Sequence, residues 1–264
     1  MEDNDFIIKF LESYEDYLVS SFNELWSLVN IEYDKLEAYS VIGGLLSRQV
    51  TLSIQMARSP SMINGHSAPL FLRGMTDLYI TLSWIMLDLD ERSKKYILYG
   101  LGEIKLLIEH YKKEIEDFPD RPNNEQLKQV VEVQSDWLNS QRRDFMTEVN
   151  LGNWAQLDYR KMAQEADCES LYKFAYKPFS HCAHNMWSHI AIYNCKYCKN
   201  PLHRHHLIPD LFELPIDLDY LFRSCKYVDM SYKLFIDKFS LKFNRLLMPL
   251  DWWNDYIGKH LSDE

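Results

Sequence analysis

Apolar positions recur every three or four residues along most of this chain, which is the spacing of an amphipathic helix. The predicted long helices cover residues 4–30, 34–58, 69–87, 89–116, 125–149, 169–194 and 218–246. A shorter helix is predicted over 159–165, and an irregular loop containing histidine, cysteine and proline over 195–216. No alternating strand pattern competes with these helices. The pattern therefore predicts an all-α fold, a single-domain bundle of about seven long helices over residues 1–264.

Composition and charge narrow the class of protein. Hydrophobic residues make up 47% of the chain, with only 8 glycines and 9 prolines, which favours long helices. A net charge of −10 argues against duplex DNA as a partner. No uncharged apolar run approaches the roughly 18–20 residues of a membrane span, and the acidic opening MEDND is unlike a signal peptide. With five cysteines, which suit a reducing compartment, these features predict a soluble cytoplasmic protein that contacts no membrane.

One predicted helix carries a stripe of polar side chains. Tyr172, Tyr176, Ser180, His184 and Ser188 recur every four residues, so a continuous helix would place them on one face. Polar groups on a largely buried helix need partners, and a row of them indicates a candidate site. His184 is the natural general base or acid there, with Ser180 and Tyr176 binding substrate. The alternative is a core histidine bonded to a buried carboxylate, with serines bonded to helix carbonyls.

A charge pair interrupts the most apolar helix. Arg73 and Asp77 stand four residues apart in the segment PLFLRGMTDLYITLSWIML, where most other side chains are apolar. A charge removed from water is costly unless it is paired and hydrogen-bonded. The pair therefore either lines a cavity or fixes the register of helices in the core. A catalytic role for Arg73 and Asp77 requires that their face meets the stripe.

The predicted loop contains residues of the types that bind zinc. Cys195 and Cys198 form a Cys-x-x-Cys pair, followed closely by His203 and His206. Two thiolates and two imidazoles would supply a tetrahedral set of ligands. The other interpretation is a loop with incidental cysteines and a histidine that anchors it to the helices. Zinc at these four residues is the one cofactor that the sequence suggests, and otherwise none is expected.

Two segments together resemble a known family. They are the segment around Arg73 quoted above and NWAQLDYRKMAQEADCESLYKFAYKPFSHCAH. Both are similar to a helical, mainly bacterial family catalogued as domain of unknown function 5677, over roughly residues 35–215. The matching positions are Arg73, Asp77, Trp154, Arg160, Ala163, Tyr172, Tyr176, Ser180 and His184. The family typically has Glu where this chain has Asp77. The resemblance implies a helical fold and a site at these residues, with no established activity.

These features predict a non-catalytic binding or interaction module for a protein partner or a small ligand. Its polar centre would join Arg73 and Asp77 to Tyr176, Ser180 and His184. A weaker similarity to HEPN-type helical bundles supplies the alternative, a ribonuclease or nucleotide-processing effector in bacterial stress or anti-phage defence. Such a protein would act on RNA, as a homodimer, with His184 transferring protons and Arg73 stabilising phosphate charge. The Arg-x-x-x-x-His motif of those bundles has no copy on a predicted helix here.

Overall fold

The computed structural model describes residues 2–145, 157–244 and 248–261. Its α-helices are α1 Glu2–Ser27, α2 Leu36–Ala57, α3 Ala68–Leu87, α4 Leu89–Asp117, α5 Asn124–Phe145, α6 Tyr159–Glu165, α7 Glu169–Leu171, α8 Lys177–Ala183, α9 Trp187–Tyr193, α10 Leu218–Phe239 and α11 Pro249–Leu261. A π-helical turn, Tyr172–Tyr176, joins α7 to α8, and short 3-10 turns cover Tyr33–Lys35 and Pro60–Met62. Strands β1 Cys195–Tyr197 and β2 Leu207–Pro209 pair antiparallel. The predicted all-α fold is confirmed.

Chain contacts divide the protein into two compact units. The first comprises residues 1–30, 43–87 and 159–264, and the second comprises residues 31–42 and 88–158. In the second unit, α4 packs along α5 through a small apolar core of Leu101, Ile108 and Leu138. Every candidate functional residue described below belongs to the first unit.

The core of the first unit is built around α3 and a cluster of aromatic rings. Helix α3 packs against α10, α8 and α6, which explains why it is apolar on most faces. Phe10 on α1 meets Trp253 on α11 edge to face, with ring centroids 4.7 Å apart. The buried hydroxyl of Tyr14 bonds Ser53 at 2.8 Å, and Ser53 bonds Ser224 at 2.9 Å, so these three hydroxyls find partners within the core.

Helix α3 also has the length and composition of a membrane span, which the sequence pattern did not indicate. Its most apolar window is nevertheless 56% buried inside the protein. The core helix of a water-soluble protein passes the same test of length and composition.

Two predicted helices differ from the structure, and one helix of the structure was not predicted. The helix predicted over 169–194 is not continuous: α8 ends at Ala183, and the helix α9 begins at Trp187. The helix predicted over 218–246 ends at Phe239, because Ser240 adopts a left-handed φ of 50° and its N–H bonds back to Ile236 and Asp237. Helix α11, with Pro249 at its first position, was not predicted. The loop over 195–216 is irregular except for the β1–β2 hairpin.

The adjacent glycines of α2 differ in what surrounds them. A Cβ added at Gly43 would lie 2.7 Å from the Trp26 ring, whereas one added at Gly44 would meet nothing within 4 Å. The Trp26 ring stacks on Phe235, with centroids 6.0 Å apart, so it is not free to withdraw. Gly43 therefore permits the close approach of α1 and α2, and Gly44 does not have that role.

This contrast gives a test on neighbouring residues. Gly44→Ala should raise the free energy of unfolding by about 0.5–1 kcal/mol through helix propensity. Gly43→Ala should lower it, because overpacking costs about 1–3 kcal/mol and exceeds the same propensity gain. Urea unfolding followed by circular dichroism measures both. Equal stabilities of the two variants would contradict the fixed position of Trp26.

Candidate functional site

The helix that carries the polar stripe ends just after its third member. The Asn185 N–H bonds the Cys182 carbonyl at 3.1 Å, and the Met186 N–H bonds the His181 carbonyl at 2.9 Å. With Asn185 at a left-handed φ of 50°, this is a Schellman motif that satisfies the last carbonyls of α8. The chain then turns and begins α9 at Trp187. The predicted stripe is thus cut between Ser180 and His184.

A π-helical turn precedes α8 and accommodates a proline. Pro178 has no N–H to offer the carbonyl of Phe174, and its ring would crowd that carbonyl in a regular helix. The Lys177 N–H instead bonds the Tyr172 carbonyl, five residues back. The widened turn keeps Tyr172 and Tyr176 on one face, with ring centroids 4.8 Å apart. Such π turns are often found at functional sites.

Arg73 on α3 reaches this face and is held on three sides. Its Nε donates to Ser180 Oγ at 2.7 Å, and its Nη1 pairs with Asp77 Oδ1 on the same helix. Its guanidinium lies over the Tyr176 ring, 3.4 Å from the centroid. Ser180 Oγ in turn donates to the Tyr176 carbonyl at 2.7 Å. We call the set of Arg73, Asp77, Tyr176 and Ser180 the Arg73 brace.

The brace is largely withdrawn from water. The side chains of Arg73 and Asp77 are 14% and 28% exposed. Burial raises the pKa of Asp77, and the neighbouring Arg73 opposes that rise. Burial likewise raises the pKa of Tyr176 to about 12, again against the influence of Arg73. Tyr176 therefore stays a neutral phenol at neutral pH and presents its ring face to the cation.

The other two stripe residues lie elsewhere. His184 is the exposed residue that ends α8, and its backbone N–H bonds the Ser180 carbonyl at 2.9 Å. Within the described part of the chain, its side chain makes no hydrogen bond or ring contact. Ser188 lies on α9, where its hydroxyl is 3.0 Å from His181 Nδ1. The structure thus brings together Arg73, Asp77, Tyr176 and Ser180 but leaves His184 outside the brace.

A cleft of about 240 Å³ opens beside the brace, between α8 and α9. No Asp, Glu, Lys or Arg is among its lining residues, which are Pro69, Pro178, Phe179, His181, Cys182, Ser188, His189, Ile192, Tyr193 and Tyr220. On one wall the Tyr193 ring lies directly against Gly65. A Cβ added at Gly65 would come within 2.2 Å of that ring, so this contact requires glycine. We call this feature the α8–α9 cleft.

The polar groups of the cleft are imidazoles and hydroxyls. His189 contacts Tyr193, with ring centroids 4.7 Å apart. Burial lowers the pKa of His189, and nearby His66 and His181 lower it further, so this imidazole is biased toward its neutral form. The Ser188–His181 contact has the length of a nucleophile–base pair, but no carboxylate lines the cleft to orient the histidine.

The hairpin groups three of the four predicted zinc ligands. The ligating atoms of Cys198, His203 and His206 all lie within 4.8 Å of one another. Cys195 is on β1, opposite Pro209, and does not belong to this group. Residues three apart in an extended segment face opposite sides of the strand, which explains its separation from Cys198.

Comparison with known proteins decides the family. A sequence profile of the family of unknown function DUF5677 matches residues 39–198, more than half of the chain. The chain belongs to DUF5677. No curated protein and no solved structure matches it closely enough to show a further relationship. The resemblance inferred from the two segments is confirmed, and the matched range lies inside the predicted 35–215.

The other DUF5677 positions are spread over several environments. Ala163 on α6 is fully buried, whereas Arg160 on the same helix is exposed. Trp154 lies outside the described residues. Tyr172 stacks on Tyr176 and so extends the aromatic face of the brace.

The sequence pattern did not place several residues that surround the brace and the cleft. The Tyr159 ring is 5.4 Å from that of Tyr176 and 6.0 Å from the Arg73 guanidinium, and no spacing pattern could place it there. His181 and His189 do not belong to the predicted stripe, yet both line the cleft. One available signal was Asn185, since asparagine readily adopts the left-handed conformation that ends a helix.

The brace predicts a stability contrast between two arginines. Arg73→Lys keeps a positive charge near Asp77 but loses the Nε bond to Ser180 and the planar stack on Tyr176. It should lower the free energy of unfolding by about 1–3 kcal/mol. Arg223→Lys is the matched control, because Arg223 pairs with Asp219 four residues away on an exposed helix face. That variant should change stability by less than about 0.5 kcal/mol.

Chemical denaturation of the two lysine variants beside the wild type measures the difference. A Ser180→Ala variant should show part of the Arg73→Lys loss, since it removes the acceptor for Nε alone. An Arg73→Lys protein as stable as Arg223→Lys would show that the brace does not hold α8 to α3.

Proposed function

We propose that this protein is a non-catalytic binding module that holds a small uncharged ring in the α8–α9 cleft. The observation that carries the proposal is the engagement of Arg73 inside the protein. Its Nε, its Nη1 and one face are used by Ser180, Asp77 and Tyr176. A cation engaged in this way supports the adjoining helix and is poorly placed to bind a phosphate group.

The character of the cleft supports a neutral, ring-shaped ligand. With no Asp, Glu, Lys or Arg among its lining residues, the cleft has no permanently charged side chain to neutralise an ionic ligand. The rings of Phe179, Tyr193 and His189 provide flat apolar surfaces for stacking. Imidazole nitrogens and hydroxyls supply a few directional hydrogen bonds, the usual means by which an apolar pocket fixes ligand orientation. The volume of about 240 Å³ suits a single ring system rather than a nucleotide.

Binding is tested with small ring compounds. Indole, adenine and benzamide would each be titrated into ¹⁵N-labelled protein, with amide shifts followed by NMR. At least one probe should give saturable shifts centred on α8 and α9. Ile192 lines the cleft and is 65% exposed at its rim, so Ile192→Trp should fill the cleft without disturbing the core. That variant should weaken binding by about tenfold or more, equivalent to about 1.4 kcal/mol.

Ile8→Trp is the control for that substitution, because Ile8 is 52% exposed on α1 and does not line the cleft. It should bind the probe as the wild type does. Absence of saturable shifts with all three probes in the wild type would overturn the proposal. Equal weakening by both tryptophan variants would overturn the placement of the ligand in this cleft.

The ribonuclease alternative has a separate test. It assigns proton transfer to His184, whose exposed side chain makes no contact with the Arg73 brace in the described structure. We expect purified wild type and His184→Ala to leave single-stranded RNA equally intact, as measured by gel electrophoresis over time. RNA cleavage by the wild type that His184→Ala abolishes would instead support a nuclease. Such a result would contradict the non-catalytic proposal directly.

A further inference from the structure

The tip of the β1–β2 hairpin gathers three side chains of the types that bind metal. Cys198 Sγ is 3.7 Å from His203 Nδ1, and the rings of His203 and His206 have centroids 5.4 Å apart. One ligating atom from each of the three residues lies within 4.8 Å of the other two. This cluster is separate from both the Arg73 brace and the α8–α9 cleft.

Backbone hydrogen bonds hold the three residues in this arrangement. The Cys198 N–H donates to the His206 carbonyl at 2.9 Å, directly beside the paired strands. The His203 N–H donates to the Asn200 carbonyl at 3.0 Å, and the His206 N–H donates to the His203 carbonyl at 3.2 Å. The loop is therefore a chain of tight turns anchored on the hairpin. These backbone bonds, and not only side-chain contacts, therefore fix the distances between Cys198, His203 and His206.

The sulfur atom has a further feature of a metal ligand. The Asn200 N–H points at Cys198 Sγ, with a distance of 3.4 Å. This backbone donor holds the sulfur in place within 4.8 Å of a ring nitrogen of each histidine. The Cys198 side chain is only partly buried, so an ion can reach it from solvent.

We propose that Cys198, His203 and His206 bind one zinc ion, with a water molecule as the fourth ligand. Zinc prefers thiolate and imidazole ligands in a tetrahedron, with Zn–S near 2.3 Å and Zn–N near 2.0–2.1 Å. Those lengths imply ligand separations of about 3.4–3.6 Å. The 3.7 Å between Cys198 and His203 already approaches this range. Binding displaces one proton from the Cys198 thiol, which passes to solvent.

The geometry gives Cys195 no part in this site. Cys195 lies within the hairpin ladder, paired with Pro209, whereas Cys198 lies at the start of the turn. The odd separation of the two cysteines directs their side chains to opposite faces of the strand. The site is therefore a one-cysteine, two-histidine centre, different from the four-ligand set that the Cys-x-x-Cys spacing suggests.

Asn200 places a hydrogen-bond donor against the second ring nitrogen of His203. Its Nδ2 lies 3.2 Å from His203 Nε2, while its Oδ1 accepts the Leu202 N–H at 3.0 Å. When Nδ1 binds the ion, the ring hydrogen sits on Nε2 and needs an acceptor. In Asn200→Asp, one carboxylate oxygen can accept the Nε2 hydrogen of His203, while the other still accepts the Leu202 N–H. This substitution should tighten metal binding, and outer partners of this kind change affinity about 10–100-fold.

The experiment titrates cobalt(II), a spectroscopic stand-in for zinc, into the full-length chain after chelator treatment and reduction. A thiolate-to-cobalt charge-transfer band should saturate at about one equivalent, and zinc should displace the cobalt. Cys198→Ser should abolish the band, and His206→Ala should weaken cobalt binding at least about tenfold. Asn200→Asp should saturate at a lower cobalt concentration than the wild type.

Two controls use neighbouring residues of the same types. Cys195→Ser removes the other half of the Cys-x-x-Cys pair, and His205→Asn removes the exposed histidine between the two ligands. Asparagine tolerates the left-handed φ of 58° at position 205. Both variants should bind cobalt as the wild type does. Loss of the band in Cys195→Ser would overturn the three-residue site, and a band that persists in Cys198→Ser would do the same. Absence of stoichiometric binding in the wild type would overturn the proposal as a whole.

Discussion

The first unit depends on how one arginine is satisfied inside an apolar helix. Arg73 stands on α3, the helix around which α6, α8 and α10 pack, and a bare charge there would be severely destabilising. Three partners of different kinds prevent this: a carboxylate at Nη1, a hydroxyl at Nε and an aromatic face. Because two of those partners are supplied by the π turn and α8, the same contacts fix where these segments lie against α3. Removing one partner of such a buried pair is strongly destabilising, because it leaves the other charge uncompensated.

The end of α8 controls what that fixed position produces. The Schellman motif at His184–Met186 ends α8 one turn after Ser180, and α9 begins as a separate helix at Trp187. Had the helix continued, His184 and Ser188 would extend the polar face and no cleft would open between α8 and α9. Instead Ser188 returns to meet His181, and Tyr193 closes against Gly65. Both the brace and the cleft thus depend on α8 being short. The brace anchors α8 to α3, and the end of α8 leaves the space in which the cleft lies.

The sequence predicted long-period features well and local exceptions poorly. The helices α1 to α5 follow from apolar periodicity. The need of buried polar groups for partners marked Arg73 and the stripe as candidates for a contact, but the contact itself depends on how α3 and α8 pack. The break after Ala183 depends on a single residue, Asn185, adopting a left-handed conformation, against an otherwise continuous helical pattern. Likewise, the sequence shows the Cys-x-x-Cys spacing. The side of the hairpin on which each sulfur lies depends on the strand pairing between Cys195 and Pro209, which the spacing does not reveal. Such choices are set by tertiary contacts that a linear pattern does not contain.

The hairpin illustrates why a metal ligand set would lie at its tip rather than its base. At the base, the Asp210 N–H bonds the Asn194 carbonyl at 2.9 Å, and Lys196 pairs with Asp210 at 2.7 Å. Beyond the three-residue strands the loop has no apolar core, and Leu202 at its apex is 87% exposed. A segment that buries so little apolar surface gains little from the hydrophobic effect, and short turns alone contribute modestly to its order. Binding of a zinc ion by Cys198, His203 and His206 would stabilise this end of the hairpin, which has little packing of its own. The same ion would have no comparable effect near Cys195, where the strand ladder already fixes the backbone.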